Sequence, residues 1–324
     1  MNIIEVKNLT KKYSDFTAVN RVSFDVKRGE IFGFLGPNGA GKSTTISMLS
    51  TLITVTAGSA KINNFDVATE TDDVRRSIGL VFQDPSLDDR LKAKENLDFH
   101  ARLYGLTRKE YTGRVKEVLE LVELWDRRSS LVRSFSGGMK RRLEIARGLI
   151  HFPKVLFLDE PTLGLDPQTR SHIWEYILKL RESQQMTIFM TTHYMNEAEY
   201  CDRIAIIDQG KIIALDTPAR LKKKVGGDIV QLRSPEKEKL KSELRKRYRL
   251  KVKEEDEKLS IEVADGEKFL PQLFNELDTK IEAVELRKPT LEDVFLKLTG
   301  RKIREEEVSA KDRMRQDIRI RRRR

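Results

Sequence analysis

Short apolar runs alternate with helical patterns along the first two thirds of this 324-residue sequence. Near-continuous apolar or β-branched runs are typical of strands that are covered on both faces in a mostly parallel sheet. Such runs occupy Ile31–Leu35, Ile78–Phe82, Val155–Leu158, Thr187–Thr191 and Ile204–Ile207. The alternation predicts an α/β core from about residue 3 to about residue 218.

A different pattern interrupts this core after residue 88. Leu97–Leu103 and Val115–Leu124 carry apolar residues three and four positions apart, and no strand-like run separates them. This spacing is that of amphipathic helices. We therefore expect a helical lobe at about residues 88–150, inserted into the α/β core.

The pattern changes again after Pro218. Lys222–Lys224 and Gly226–Gly227 indicate a linker, because charge and glycine interrupt both periodic patterns. The first domain is thus expected to cover residues 1–220, and a small α+β accessory domain is expected at residues 221–300. Its predicted strands are Ile229–Leu232, Leu250–Val252, Leu259–Val263 and Ile281–Leu286. Its predicted helices are Glu236–Arg247, Glu267–Leu277 and Leu291–Leu298.

Charge and apolar content narrow the setting of the protein. The 62 basic and 51 acidic residues give a net charge of +11, which predicts an anionic partner surface without choosing between nucleic acid and phospholipid. No run approaches the ~18 consecutive apolar residues that a membrane helix needs, and the N-terminus lacks a signal-peptide pattern. If this protein serves transport across a bilayer, another chain must form the path.

Two further features are the tail and the only cysteine. Residues 301–324 carry 11 basic and 5 acidic residues and end in Arg321–Arg324. This basic tail is too charged to bury, and it either lies against anionic lipid headgroups or is a solvated charge run. Cys201 excludes an internal disulfide and fits a reducing cytosol. Beside an apolar strand, it is expected to be a small buried hydrophobe.

A glycine-rich segment carries the first candidate chemistry. It fits the pattern G-x-x-x-x-G-K-[ST] and lies between an apolar strand and a helical pattern. Glycines let backbone N–H groups approach phosphate oxygens, and the following helix N-terminus favours anions. In this setting the lysine reaches the β/γ-phosphates and the serine hydroxyl binds Mg²⁺. The segment consists of Gly36, Pro37, Asn38, Gly39, Ala40, Gly41, Lys42, Ser43 and Thr44.

Two carboxylates end the buried strand at Val155–Leu158. Ligands bind at the carboxyl ends of strands in open α/β sheets, so Asp159 is placed to hold Mg²⁺, directly or through water. Glu160, one residue further on, is placed to polarise a water for in-line attack on a γ-phosphorus. The strand end therefore predicts attack of water on a γ-phosphate bound at the glycine-rich segment.

A second helix start also suits an anion. Ser136 is a favourable N-cap, and Gly137 and Gly138 leave the first backbone N–H groups accessible. The residues alone leave two interpretations open, a capped helix without ligand or a helix that serves a second nucleotide. We expect the three arginines of this helix to form a solvated face; they are Arg141, Arg142 and Arg147.

Together, these motifs resemble the ATP-binding cassette ATPases over about residues 3–220. The glycine-rich segment resembles the family's Walker A loop, and Asp159 with Glu160 resembles Walker B and its catalytic carboxylate. Ser136–Gly138 resembles the signature motif, although Phe135 and Met139 replace the usual leucine and glutamine. The resemblance implies a P-loop NTPase cassette with a mostly parallel sheet, an antiparallel β part and an inserted helical lobe.

The resemblance also assigns roles to residues that the local pattern leaves unexplained. It implies that Tyr13 stacks on adenine and that Gln83 contacts Mg²⁺ and relays to a transmembrane partner. It further implies that Asp166 belongs to the D-loop and that His193 is the switch histidine. ATP and Mg²⁺ are the implied cofactors. Because the signature helix of one subunit closes over ATP held by its twin, a second cassette is implied, most simply an identical copy.

The segment Lys288–Phe295 and the Gly164–Asp166 loop resemble the drug-resistance and export-type cassettes, which pair with a separate transmembrane permease. This implies a subunit on the cytoplasmic face of the cell membrane, with no nucleic acid partner. A soluble cassette ATPase acting on nucleic acid or ribosomes is the alternative, suggested by the basic tail. A regulatory module without hydrolysis is disfavoured by Glu160 and His193, whereas an importer stays open.

Overall fold

The computed structural model of the protein describes residues 1–84, 86–255 and 257–300, so the basic tail of residues 301–324 lies outside the described residues. The strands of the first 220 residues are β1 (Asn2–Tyr13), β2 (Phe16–Lys27), β3 (Ile31–Leu35), β4 (Ala57–Ile62), β5 (Phe65–Asp66), β6 (Ile78–Val81), β7 (Val155–Asp159), β8 (Thr187–Thr192), β9 (Arg203–Asp208) and β10 (Lys211–Asp216). The helices of the same part are α1 (Lys42–Leu49), α2 (Thr71–Ser77), α3 (Ala93–Leu103), α4 (Arg108–Leu121), α5 (Gly137–Gly148), α6 (Pro167–Gln184), α7 (Met195–Ala198) and α8 (Pro218–Val225).

The central sheet has the strand order β10-β9-β3-β8-β7-β6. Its pairs are parallel except for β10, which returns antiparallel to β9. Every residue of β3, β7 and β8 is buried, which is why these strands read as near-continuous apolar runs. The parallel core predicted from the sequence is confirmed.

A second, antiparallel sheet of order β2-β1-β4-β5 covers one face of this core. Aromatic rings fill the space between the two sheets: Phe24 of β2 stacks on Phe32 of β3 with ring centroids 5.5 Å apart. Phe34 and Phe189 lie within 5.9 Å of Phe24 as well. This packing fixes the turn between β3 and α1, where the glycine-rich segment lies.

The inserted helical part consists of α3, α4 and α5 on the other side of the core. Leu97 of α3, Val115 of α4 and Leu143 of α5 are fully buried in one hydrophobic cluster. Helix α1 ends at Leu49, and Leu52 beyond it is 53% exposed. The reason is a chain reversal at Thr51, whose φ of 63° lies in the left-handed region.

The predicted linker at Lys222–Lys224 is wrong, because these lysines lie in α8. Thr217 caps this helix by accepting a hydrogen bond from the Arg220 N–H at 3.2 Å, and Leu221 is buried in the main cluster. Ion pairs to Glu199 and Asp216 hold two of the lysines along the cassette surface. A capped, amphipathic helix therefore overrides the local charge signal.

The remaining residues build a third sheet, of order β12-β13-β11-β14. Helices α9 and α10 carry residues of its hydrophobic cluster, such as Leu244 and Leu273, whereas α11 packs against α7 and α8. One predicted strand is displaced, since β12 starts only at Val252. The elements are β11 (Asp228–Arg233), α9 (Lys237–Tyr248), β12 (Val252–Glu255), β13 (Lys258–Val263), α10 (Gly266–Glu276), β14 (Ala283–Arg287) and α11 (Leu291–Thr299).

Every helix in the described part of the chain is too short or too polar to span a membrane.

Candidate functional site

The glycine-rich segment forms the turn from β3 into α1. Its glycines are required by close backbone contacts: a Cβ at Gly36 would lie 2.3 Å from Ile207 O, and one at Gly41 would lie 2.6 Å from Ala18 O. Gly41 also has a φ of 103°, which only glycine adopts readily. The loop is thus held tightly from behind, with the start of α1 at its end.

Lys42 points its side chain back into this loop and is 4% exposed. Its Nζ donates to the carbonyl oxygens of Gly36 at 2.9 Å and Pro37 at 3.2 Å. It also forms an ion pair with Glu160 Oε1 at 3.0 Å. A buried ammonium with these partners provides a fixed positive charge at the mouth of the loop, where it can attract a polyphosphate.

Oxygen donors meet beside the first turn of α1. Ser43 donates its hydroxyl hydrogen bond to Asp159 Oδ1 at 3.2 Å, and Thr191 of β8 donates to the same oxygen at 2.5 Å. Burial raises the pKa of Asp159, although the hydrogen bonds from Thr191 and Ser43 oppose the shift. Hydroxyl and carboxylate oxygens suit Mg²⁺, which combines one or two protein ligands with substrate phosphates. Sequence reasoning missed Thr191, whose only signal is its place at the end of a buried strand.

Glu160 lies between Lys42 and His193. Its Oε2 is 3.1 Å from His193 Nδ1, and its backbone has a φ of 45°, which is uncommon outside glycine. The Glu160 N–H donates to the Thr191 hydroxyl at 3.0 Å, which helps to hold this conformation. Burial alone would raise the pKa of Glu160, but the hydrogen bond from His193 and the charge of Lys42 outweigh it and lower the pKa. The carboxylate is therefore ionised at neutral pH.

Lys42, Ser43, Glu160 and His193 line one cavity of about 410 Å³. The predicted Mg²⁺ ligand Asp159 does not line this cavity and reaches it through its hydrogen bond with Ser43. Phe16 lines this cavity next to the glycine-rich segment, which we call the phosphate loop. Tyr13, the predicted adenine partner, does not line the cavity. It lies at the other end of the same hairpin turn, is 46% exposed, and has Lys11 Nζ 5.1 Å from its ring centroid. Phe16 is a lining residue that the sequence reasoning did not single out. The predicted site residues that line this cavity are Asn38, Gly39, Gly41, Lys42, Ser43, Thr44, Gln83, Glu160 and His193.

The other predicted residues lie elsewhere. Ser136 caps α5, accepting a hydrogen bond from the Met139 N–H at 3.3 Å, and lines a second cavity of about 230 Å³ together with Gly138. Asp166 caps α6 by accepting from the Thr169 N–H at 3.0 Å, and the Thr169 hydrogen bonds lower its pKa. The two anion-ready helix starts of one chain therefore border different cavities.

Several buried charged side chains were not anticipated. The expectation that the α5 arginines form a solvated face is wrong for Arg141 and Arg147, each of which is 6% exposed. They are buried because backbone carbonyls of other segments accept their hydrogen bonds. Glu197 of α7, 2% exposed, accepts from the hydroxyl groups of Thr162 and Thr192. It thus joins the segments that follow Glu160 and precede His193.

Comparison with known proteins gives two family matches. The family described as ABC transporter matches residues 19–163, which include the phosphate loop, Gln83 and the strand that ends at Asp159. The family described as ATP-binding protein DrrA1-3-like, C-terminal domain, matches residues 217–299. The second match covers α8, the third sheet and α11.

Individual proteins extend this similarity over nearly the whole chain. The linearmycin resistance ATP-binding protein LnrL of Bacillus subtilis (strain 168) is 42% identical over 94% of this chain and 100% of that protein. The Nod factor export ATP-binding protein I of Burkholderia orbicola (strain AU 1054) is 38% identical over 93% of this chain and 98% of that protein. A solved ATP-binding cassette, a dimer in a post-hydrolysis state bound to ADP and phosphate, is 30% identical with a TM-score of 0.60, covering 66% of this chain and 98% of that one.

Proposed function

This chain belongs to the ABC transporter family and binds and hydrolyses ATP; from that premise, we propose that it is the energising subunit of an exporter whose membrane path is a separate permease. The contact of Lys42 with Glu160, and of Glu160 with His193, in one cavity at the carboxyl end of the central sheet carries this proposal. The names of the resistance and export relatives support export as the direction. The alternative that acts on nucleic acid or ribosomes has no support from these relatives.

The residues of the cavity divide the work of hydrolysis among them. Lys42 exchanges its carbonyl and carboxylate partners for β/γ-phosphate oxygens. Ser43 and Asp159 would hold Mg²⁺. When bound, Mg²⁺ neutralises phosphate charge. Glu160, released from Lys42, accepts a proton from the attacking water, while His193 keeps its carboxylate oriented. Gln83 lines the same cavity and would contact Mg²⁺ as well.

A second cassette completes the site. Ser136 and Gly138 border a cavity of their own, so the serine-led helix of one subunit serves the nucleotide of its twin, with Gly137 in the same turn and Asp166 at the adjoining α6 start. The dimeric cassette found by comparison supports this arrangement. The working unit is therefore a pair of cassettes, most simply two copies of this chain.

The permease contacts the outer face of the helical lobe. Phe99, Leu103 and Tyr104 at the end of α3 are 55%, 66% and 43% exposed. Asn96 of the same helix accepts a hydrogen bond from the Asp88 N–H at 2.9 Å, which links α3 to the loop that follows Gln83. This face is apolar and tied to the cavity, which suits a permease at the cytoplasmic surface of the membrane. Residues 1–220 act as the cassette, residues 221–300 as an accessory domain and residues 301–324 as a lipid-facing tail.

The first test uses the lysine of the phosphate loop. Lys42→Ala removes the only side-chain ammonium that lines the described cavity, so nucleotide affinity should fall at least ~10-fold, corresponding to more than about 1.4 kcal/mol of binding free energy. Binding is measured with a fluorescent ATP analogue. Lys223→Ala, on the surface of α8, is the control. Wild-type affinity in Lys42→Ala would place the nucleotide elsewhere.

The second test uses the carboxylate. Glu160→Gln keeps the shape of the side chain but removes its charge, so hydrolysis should slow by at least ~10²-fold while ATP binding persists and dimers accumulate. Phosphate release and size-exclusion chromatography with MgATP measure the two effects. Glu238→Gln, which changes a carboxylate that is 81% exposed, is the matched control. Wild-type turnover in Glu160→Gln would remove this residue from the base role.

A further inference from the structure

The side chain of Arg141 is buried in the second turn of α5, although it carries a full charge. Each of its five N–H donors has an acceptor. Nε donates to Pro161 O at 2.6 Å, and Nη1 donates to Phe82 O at 2.5 Å and to Glu144 Oε2 at 3.1 Å. Nη2 donates to Asp159 O at 3.1 Å and to Glu160 O at 3.2 Å. Burying a guanidinium is costly unless all donors are satisfied, and here they are.

The four carbonyl acceptors belong to two chain segments, each of which contributes one residue, Glu160 or Gln83, to the lining of the ATP cavity. Three of them follow one another at the end of β7, where the chain carries Asp159 and Glu160. The fourth, Phe82 O, immediately precedes Gln83. One side chain on α5 therefore holds both the strand end that carries Glu160 and the segment that carries Gln83.

Two neighbours on α5 reinforce the second contact. Glu144, which is 0% exposed, accepts a hydrogen bond from the Ser86 N–H at 2.7 Å. Arg147 donates to Ser86 O at 2.9 Å and to Ser86 Oγ at 2.7 Å. The loop that follows Gln83 is thus attached to α5 by side chains from successive turns, so that a displacement of α5 displaces this loop.

The N-cap of the same helix, Ser136, borders a second cavity that shares no lining residue with the ATP cavity. We propose that Arg141 is a positioning residue that couples the two ATP sites of a cassette pair. Closure of the serine-led helix start over the partner's nucleotide moves α5, and Arg141 transmits this movement to Glu160 and Gln83 of its own site. This inference rests on the proposed function, in which two cassettes enclose two nucleotides.

The test compares ATP hydrolysis by the full chain and by Arg141→Gln as a function of ATP concentration. The wild type should show a Hill coefficient above one, with the number of sites as its upper limit. Arg141→Gln should have a Hill coefficient of one and a kcat lower by about 10-fold to 10²-fold, the range expected when catalytic groups are misplaced by ~1 Å. Affinity for ATP without Mg²⁺ should stay unchanged. Arg141→Lys should restore little, because an ammonium has three donors and no planar fork.

A matched control separates coupling from stability. Arg114 is 4% exposed and, like Arg141, donates to a backbone carbonyl, Leu149 O at 2.8 Å. Its acceptor residues, Leu149 and Glu117, do not line the ATP cavity, whereas the Arg141 acceptor Glu160 does. Arg114→Gln should lower the unfolding midpoint while leaving the Hill coefficient unchanged. If Arg141→Gln keeps its cooperativity, or loses activity only in the proportion that Arg114→Gln does at equal stability, Arg141 is merely structural. A wild type that hydrolyses ATP without cooperativity also overturns the coupling, whereas a wild type without hydrolysis overturns the proposed function itself.

Discussion

The start of α5 is packed so closely against α6 that a single methyl group should disturb it. A Cβ at Gly138 would lie 2.4 Å from Thr169 Cγ2, whereas a Cβ at Gly137 has Leu165 Cδ2 as its nearest neighbour at 3.6 Å. Carbon atoms pack best at about 3.5–4.0 Å. The two adjacent glycines therefore predict opposite outcomes for the same substitution.

The clash that Gly138→Ala creates with Thr169 can be relieved in two ways, and both are unfavourable. Thr169 is β-branched and stiff at χ1, and rotating its methyl group away would break the hydrogen bond from its hydroxyl to Asp166 Oδ2, which measures 2.6 Å. Otherwise α5 must move away from α6, and overpacking of this kind typically costs about 1–3 kcal/mol. Gly138→Ala should therefore lower Tm by roughly 2–12 °C.

Thermal unfolding of four variants tests this reasoning. Gly137→Ala should be within about 0.5 kcal/mol of the wild type. Thr169→Ser removes the clashing methyl group and keeps the hydroxyl, so the double variant Gly138→Ala/Thr169→Ser should regain at least half of the lost stability, a coupling that a double-mutant cycle measures. Equal stabilities for Gly137→Ala and Gly138→Ala, or no recovery with Thr169→Ser, would refute the close contact.

Three further predictions follow from buried groups. Burial raises the pKa of Cys201, so its thiol should resist iodoacetamide at pH 8 in the native protein and react in urea; rapid native labelling would contradict its burial. Phe295→Ala should cost about 3–5 kcal/mol in urea unfolding, whereas Leu298→Ala, at a position 47% exposed, should cost less than about 0.5. Burial lowers the pKa of His151 to about 4, while the unfolded histidine titrates near 6.5. The stability that neutral His151 contributes is therefore present above pH 6.5 and lost as the pH falls toward 4. The urea midpoint should fall less steeply between these pH values in His151→Gln than in the wild type.

Strands β7 and β8 could be predicted from the sequence because burial on both faces determines which residue types they contain. Val155–Leu158 and Thr187–Thr191 are buried on both faces, and a continuous apolar run is the direct consequence. The glycine-rich segment could also be predicted, because close backbone contacts at Gly36 and Gly41 leave no room for a Cβ and therefore require glycine. At these positions the structure that the local residue types predict is the same as the structure that the tertiary contacts require.

The burial of Arg141 could not be predicted from its neighbours in the sequence. Its acceptors are the carbonyls of Phe82 and of Asp159–Pro161, which any residue type would supply and which lie 18 to 59 positions away. A helix with several arginines therefore resembles a solvated face until the tertiary contacts are known. Lys222–Lys224 misled in the opposite direction, since capping by Thr217 and burial of Leu221 make a helix of a segment whose charges suggest a linker.

The accessory domain is joined to the catalytic region by packing as well as by the chain. Leu291, Val294 and Phe295 of α11 are each 1% exposed, and they share a hydrophobic cluster with Ala198 and Cys201. Those two residues lie in the segment that directly follows His193 and also contains the buried carboxylate of Glu197 in α7. Because truncating one large core side chain already costs several kcal/mol, α11 cannot detach from α7 without destabilising that segment. The region around the ATP cavity is therefore braced from two directions, by polar contacts from α5 and by apolar contacts from α11, and a partner that moves the accessory domain would act on hydrolysis through the second.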